Sequence, residues 1–115
     1  MVRYWGTLLI LLLIIGCTSE PRDCFSDDDY SRALFGDKNL QGAKLCDADF
    51  TGAKLIGVNF TGADLSGADM PGADLMKSDF TNADLSDTTM YLANLSGADL
   101  NGAILEGAKM DDVIF

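Results

Sequence analysis

A five-residue pattern repeats from residue 33 to residue 115, and it constrains the fold more than any other feature of the chain. Every fifth residue is Leu, Phe or Met, and in 12 of these 17 pentads the residue two positions earlier is Ala. The residue between them is mostly polar, and Gly is the commonest residue two positions after the large one. We call the large residues the centres: Phe35, Leu40, Leu45, Phe50, Leu55, Phe60, Leu65, Met70, Leu75, Phe80, Leu85, Met90, Leu95, Leu100, Leu105, Met110 and Phe115.

A period of five fits neither ordinary secondary structure. On an α-helix five residues advance by about 500°, so successive centres would spiral around the axis. On a flat strand an odd period would place successive centres on opposite faces. The pattern therefore predicts a chain that turns by a fixed amount in every pentad, with the centre and the Ala directed inward. Gly after the centre suits a turn with positive φ. Each coil would stack on the previous one, since a single coil cannot bury its own apolar edge.

The pentads resemble the A(D/N)LXX motif of the pentapeptide-repeat family over residues 33–115. This resemblance implies an all-β fold, a right-handed quadrilateral β-helix with four pentads per coil and about four coils in residues 37–115. Residues twenty positions apart would then stack in columns. Phe60 would lie on Phe80, and a second column would hold Phe50, Met70, Met90 and Met110. We interpret these columns as core packing.

The segment 24–36 has a different pattern, which predicts a short capping helix. Ser26 precedes three acids, as is typical of an N-cap followed by an acidic first turn. Gly36 is suited to end the helix. Solenoids need such a cap at an exposed end. Three apolar residues follow at helical spacing: Tyr30, Leu34 and Phe35.

Residues 1–16 are typical of a signal peptide. Arg3 gives a short positive start, and Leu8–Ile15 is an unbroken apolar run. A transmembrane helix needs about 20 apolar residues, so this run is too short to span a bilayer. A plain secretory signal and an uncleaved short anchor remain alternatives to the interpretation that follows.

The sequence Ile14-Ile15-Gly16-Cys17 resembles the lipobox of bacterial lipoproteins. The resemblance implies that Cys17 is acylated and becomes the mature N-terminus, so that the N-terminal lipid, such as palmitate, attaches the protein to a membrane. Residues 17–23 would form a short tether. Thr18 stands where Asp tends to hold lipoproteins at the inner membrane, which favours the outer membrane in a host that has one.

Two of the three cysteines are candidates for a disulfide. With Cys17 taken by lipid, Cys24 and Cys46 remain as an even number in an oxidising compartment. A bridge between them would close a loop of 23 residues, which stabilises the fold by roughly 3 kcal/mol in the chain-entropy model. The alternative is two unpaired thiols.

Composition argues against several classes of function. The chain has no His, which excludes Ser-His and Cys-His catalysis. Stacked carboxylates, Asp64 with Asp84 and Asp79 with Asp99, would lie on a convex, solvated wall, so we expect no enzyme, no cofactor and no metal site. The net charge of −10 lacks the basic footprint of a nucleic-acid binder.

The sequence favours a lipid-anchored envelope protein that acts as a protein-interaction or structural module. The alternative is a cytoplasmic binder of a type II topoisomerase that mimics DNA, as some family members do; an export signal argues against it. The open edge of the C-terminal coil predicts a homodimer. Apolar residues at outward positions form a candidate patch for an unknown protein partner, with ordinary scatter of exposed apolar residues as the alternative: Ile56, Pro71, Met76, Tyr91 and Leu92.

Overall fold

The computed structural model describes residues 23–115. The predicted signal peptide 1–16, the lipid attachment residue Cys17 and all but the last residue of the predicted tether 17–23 lie outside the described residues.

Within residues 23–115, helix α1 (Asp27–Leu34) caps the first coil as the sequence predicts. The side chain of Ser26 accepts a hydrogen bond of 3.2 Å from the backbone N–H of Asp29, which satisfies one free donor of the first turn. Arg32 in the last turn donates to Asp29 at 3.0 Å and to Asp37 at 2.9 Å. These contacts fix both ends of a helix too short to be stable alone.

The prediction that Phe35 is an inward-facing centre is wrong. Phe35 is the C-cap residue of α1 and its side chain is 91% exposed. Helical spacing, rather than the pentad period, decides which residues of this segment face the core. Ala33 is buried, and Tyr30 packs on Phe50 with ring centroids 5.4 Å apart. The inward pentads therefore start at Leu40.

Residues 23–115 contain isolated bridges and no extended strand. Twelve parallel bridges each join residues twenty positions apart, from Asn39 with Asn59 to Asn94 with Ile114. The chain thus returns to the same side after four pentads. Hydrogen bonds run in both directions between coils: Phe60 N–H donates to Asp79 O at 2.7 Å, and Asp79 N–H donates to Val58 O at 2.9 Å.

The centres from Leu40 to Leu95 form the core, each at most 2% exposed. The predicted stack of Phe60 on Phe80 is confirmed, with ring centroids 5.0 Å apart and an interplanar angle of 8°. Small inward residues leave room for the centres. Ser78 replaces Ala at one such position, and its buried hydroxyl donates to Leu55 O at 2.7 Å, so the substitution leaves no unsatisfied polar atom.

The last coil is less well covered than the others. Its centres Leu100, Leu105 and Met110 are half-buried, and Phe115 is 72% exposed. Among the described residues no further coil lies beyond them, so each of these side chains lacks a neighbour on one side of its column.

Turn positions without glycine adopt the same backbone conformation as those with it. Gly72 has φ +65°, and Leu92, one coil further along the same corner, has φ +58°. A left-handed conformation costs a residue with a Cβ roughly 1–2 kcal/mol. The stacking of the coils, rather than glycine alone, therefore imposes the turn.

We expect Leu92→Gly to raise the free energy of unfolding by about 1 kcal/mol, because it removes the conformational cost of a Cβ at this backbone position. The lost side chain is 67% exposed, so little packing is lost with it. The matched change Gly72→Ala should lower the free energy of unfolding by about 1 kcal/mol. A Cβ at Gly72 would meet no atom within 4 Å, so the cost is conformational alone. Denaturant titration measures both variants, and shifts of the same sign would contradict this account.

Candidate interaction surface

The acids on the outer wall serve mainly to build turns. Asp79 accepts from the backbone N–H of Thr81 at 2.9 Å and from its hydroxyl at 2.5 Å. Asp64 and Ser66 make the same pair of contacts at 3.0 and 2.6 Å. An Asp or Asn that accepts from the N–H two residues later forms an Asx turn. An Asp or Asn at this position therefore stabilises the turn that follows it, a role that the sequence analysis missed.

The predicted carboxylate stacks are present as neighbours in adjacent coils. Asp64 bridges with Asp84, and Asp79 with Asp99. Each of the four accepts the N–H of its own Asx turn. This arrangement explains the acids by turn formation.

Hydrogen bonds lower the pKa of two of these acids. The hydroxyl of Thr81, and then its backbone N–H, hold the pKa of Asp79 below its ordinary value. Thr51 lowers the pKa of Asp49 in the same way. Both effects arise because donors stabilise the charged carboxylate.

We expect stability to fall in acid, and Thr81→Val to weaken that dependence. Because the pKa of Asp79 is lower in the folded state, its contribution is fully present above the unfolded pKa, about 3.9, and is lost as pH falls through the folded value. Removing the Thr81 hydroxyl brings the pKa of Asp79 in the folded state closer to its value in the unfolded state. The comparison is the denaturant midpoint at neutral and acid pH. Ser96→Ala is the control, because the backbone N–H of Ser96 donates to the side chain of Asn94, which does not titrate. If Ser96→Ala changed the pH dependence of stability as much as Thr81→Val does, the role given to Asp79 would be contradicted.

The cap is fastened to the first coil by a disulfide. Cys24 and Cys46 are bonded, with Cα atoms 5.5 Å apart. Backbone contacts support the bond: Cys46 N–H donates to Cys24 O at 3.1 Å, and Phe25 forms an antiparallel bridge with Leu45. The segment before α1 thus covers one edge of the first coil.

The candidate patch lies at two neighbouring corners of the β-helix. Pro71 and Tyr91 occupy one corner in adjacent coils, where Gly72 N–H donates to Tyr91 O at 2.7 Å. Ile56 and Met76 occupy the next corner, where Gly57 N–H donates to Met76 O at 2.8 Å. One face of the wall separates the two corners, so the predicted residues form two apolar strips.

The five side chains of the patch are unequally accessible. Leu92 is 67% exposed, Ile56 42% and Tyr91 38%, whereas Pro71 and Met76 are half-buried. Leu92 and Tyr91 therefore offer most of the apolar surface that a partner could contact.

Six further large apolar residues are exposed that the sequence analysis did not place on the surface, including Phe25 at 37% and the predicted inward centre Phe115 at 72%. Ile104 and Ile114, 50% and 55% exposed, stand on the wall where the motif has Asp or Asn. That departure from the motif was a usable signal. Leu34 and Phe35, at the end of α1, were instead assigned to the helix and to the core. Their exposure follows only from the geometry of the cap.

Two negative observations complete the description of residues 23–115. No group of three or more His, Cys, Asp or Glu side chains is arranged to hold a metal ion there. Within the same residues, no helix has the length and apolar character to cross a membrane.

Comparison with known proteins places the repeat in a family. The model for pentapeptide repeats matches in eight copies, over residues 33–72, 59–97 and 78–115. A pentapeptide repeat protein from the thylakoid lumen of Arabidopsis thaliana is 35% identical, with a TM-score of 0.54, and the match covers 62% of this chain and 57% of that chain. The chain therefore matches little more than half the length of that protein.

A second solved structure, a pentapeptide repeat protein from Nostoc Pcc 7120, is 29% identical with a TM-score of 0.44, covering 73% of this chain and 74% of that one. No curated protein sequence matches the chain.

Proposed function

Because the chain belongs to the pentapeptide-repeat family, whose members form right-handed quadrilateral β-helices, we propose that it is a lipid-anchored envelope protein acting as an interaction or structural module. In this proposal residues 1–16 are removed and Cys17 carries the lipid. Residues 17–23 form the tether and residues 24–36 the cap. Residues 37–115 form about four coils that stack on the cap. The rod lies outside the cytoplasmic membrane, at the outer membrane where the host has one. It works by contact rather than by catalysis.

The disulfide between Cys24 and Cys46 is the observation that carries this proposal. Disulfides persist in oxidising compartments and are rare in the cytosol. The bond also uses two of the three cysteines, and the third, Cys17, ends the lipobox-like sequence. The similar Arabidopsis protein comes from the thylakoid lumen, a compartment reached by export, which supports the same conclusion.

Mass spectrometry of the mature N-terminus tests the proposal. We expect an acylated Cys17 as the first residue, and we expect Cys17→Ala to move the protein out of the membrane fraction. An intact Met1 on a soluble protein would overturn the proposal and favour the cytoplasmic binder of a type II topoisomerase, which the net charge of −10 would suit.

Tyr91 and Leu92 are the best candidates for the contact with a protein partner. Leu92 combines an exposed apolar side chain with a left-handed backbone that favours Gly. Pro71, Met76 and Ile56 extend the patch. Tyr91→Ser with Leu92→Ser should leave the folded state intact and abolish retention of the partner in cross-linked envelopes. Unchanged retention would refute the patch.

A homodimer through the last coil is the second proposed contact. The half-buried centres Leu100, Leu105 and Met110 and the exposed Ile114 would be covered by a second copy. Light scattering at micromolar concentration should give a dimer that Ile114→Glu dissociates and Ile56→Glu does not. A monomer under these conditions would contradict the proposal.

A further inference from the structure

The outward side of α1 changes from acidic to apolar along its length. Asp27 and Asp28 are exposed at its start, while Leu34 is 55% exposed at its end and Phe35 beyond it is 91% exposed. The inward side is taken by Tyr30, which packs on the first coil, and by Ala33. The end of the cap thus presents two adjacent large apolar side chains that are not buried in the core.

The cationic side chains near this pair have hydrogen-bond partners. Arg32 donates to Asp29 at 3.0 Å and to Asp37 at 2.9 Å. The ammonium of Lys38 donates to the carbonyl of Ile56 at 2.7 Å. Phe35 follows Asp28 by seven positions, a distance of about 10 Å along the helix axis. Insertion of Leu34 and Phe35 into an apolar environment would therefore not require Arg32 to leave its carboxylate partners.

The same end of the molecule carries the tether. Asp23 directly precedes Cys24, whose disulfide fixes that point to the first coil beside the start of α1. The six residues from Thr18 to Asp23 span at most about 20 Å when fully extended. With Cys17 acylated, the cap must stay within that distance of the lipid headgroups, whereas the centres of the last coil belong to the opposite end of the stack.

We propose that Leu34 and Phe35 insert into the membrane interface as a second contact beside the lipid on Cys17. This inference rests on the proposed lipid anchor. Aromatic and leucine side chains on a short helix are suited to this region of the bilayer. The excess of acidic over basic residues disfavours an anionic surface, so the occupant is a zwitterionic bilayer. The rod then stands with its cap against the membrane.

Tryptophan quenching in vesicles tests the contact. The only Trp of the chain is Trp5, which is lost with the signal peptide, so F35W leaves a single Trp in the mature protein, and this Trp can be excited selectively at wavelengths where Tyr does not absorb. The control is F115W, another highly exposed Phe, at the far end of the stack. The full chain is exported, acylated, purified and reconstituted in phosphatidylcholine vesicles that contain a lipid brominated near its headgroup.

We expect loss of fluorescence and a blue shift for F35W and no change for F115W. If F35W is as bright as F115W, the cap is held off the bilayer or is covered by a protein, and the inference is wrong. Equal quenching of both would mean that the rod lies on its side, which also overturns it. Mass spectrometry of the same sample distinguishes failure of the proposed function from failure of this inference. An unacylated Cys17 refutes both. An acylated Cys17 without quenching of F35W refutes the inference alone.

Discussion

Phe80→Ala should lower the free energy of unfolding by about 3–5 kcal/mol. Phe80 is fully buried and stacks on Phe60 in the middle of the coil column. Truncation would remove its contacts with the coils on both sides, and the bridged walls around it would limit collapse of the cavity. Chemical denaturation followed by circular dichroism measures the loss.

Phe115→Ala is the matched control for this change. The side chain has the same chemistry and the same place in the pentad, but it is 72% exposed. We expect a change within about 0.5 kcal/mol. If both variants lose similar stability, the centres are not distinguished by burial, and the core described above is wrong.

Removing the disulfide with C24A/C46A should lower the free energy of unfolding by about 3 kcal/mol. The bond closes a long loop and holds the segment before α1 against the first coil, where Ser26 N–H donates to Lys44 O at 2.8 Å. Replacing both residues avoids leaving a lone thiol. The denaturant midpoint of the variant, with and without reductant, is the measurement.

Two comparisons of denaturant midpoints test whether the loss of stability comes from this disulfide. The wild-type protein in reductant should approach the midpoint of C24A/C46A, while the variant itself should not respond to reductant. Cys17→Ala should leave the midpoint unchanged, because its proposed role is attachment rather than stability. An unchanged midpoint for C24A/C46A would show that the disulfide does not stabilise the cap.

The register of the coils could be predicted because the period of five excludes both ordinary structures. Once the centres had to face one interior, Leu65 and Phe80 could be assigned to the core from the sequence alone, and both are fully buried. Phe35 obeyed the same count and was assigned wrongly. It lies at the end of a helix, where the hydrogen bonds of α1 set its direction, and the count of five has no meaning there.

The wall was harder to interpret because one residue type serves two purposes. Asp64 is expected on any solvated acidic surface, yet it also accepts from the N–H and hydroxyl of Ser66. The sequence did contain a sign of this role, a Ser or Thr two residues after the Asp. Asp suits both solvation and turn formation, so its presence in the motif does not distinguish the two roles. Only residues that depart from the motif, such as Leu92 and Ile104, carry information about contacts.

Positions on one corner of the β-helix offer the most direct test of the twenty-residue coil. Ser66 and Ser86 occupy the same corner, since the N–H of Gly67 donates to Ser86 O at 2.8 Å. Adjacent coils separated by about 4.8 Å place such a pair within reach of a disulfide. Thr81 is nearer to Ser66 in sequence but lies at another corner. Peptide mapping after oxidation should find the engineered bond in S66C/S86C and not in S66C/T81C. A bond in S66C/T81C, or none in S66C/S86C, would contradict the fold on which the proposed function depends.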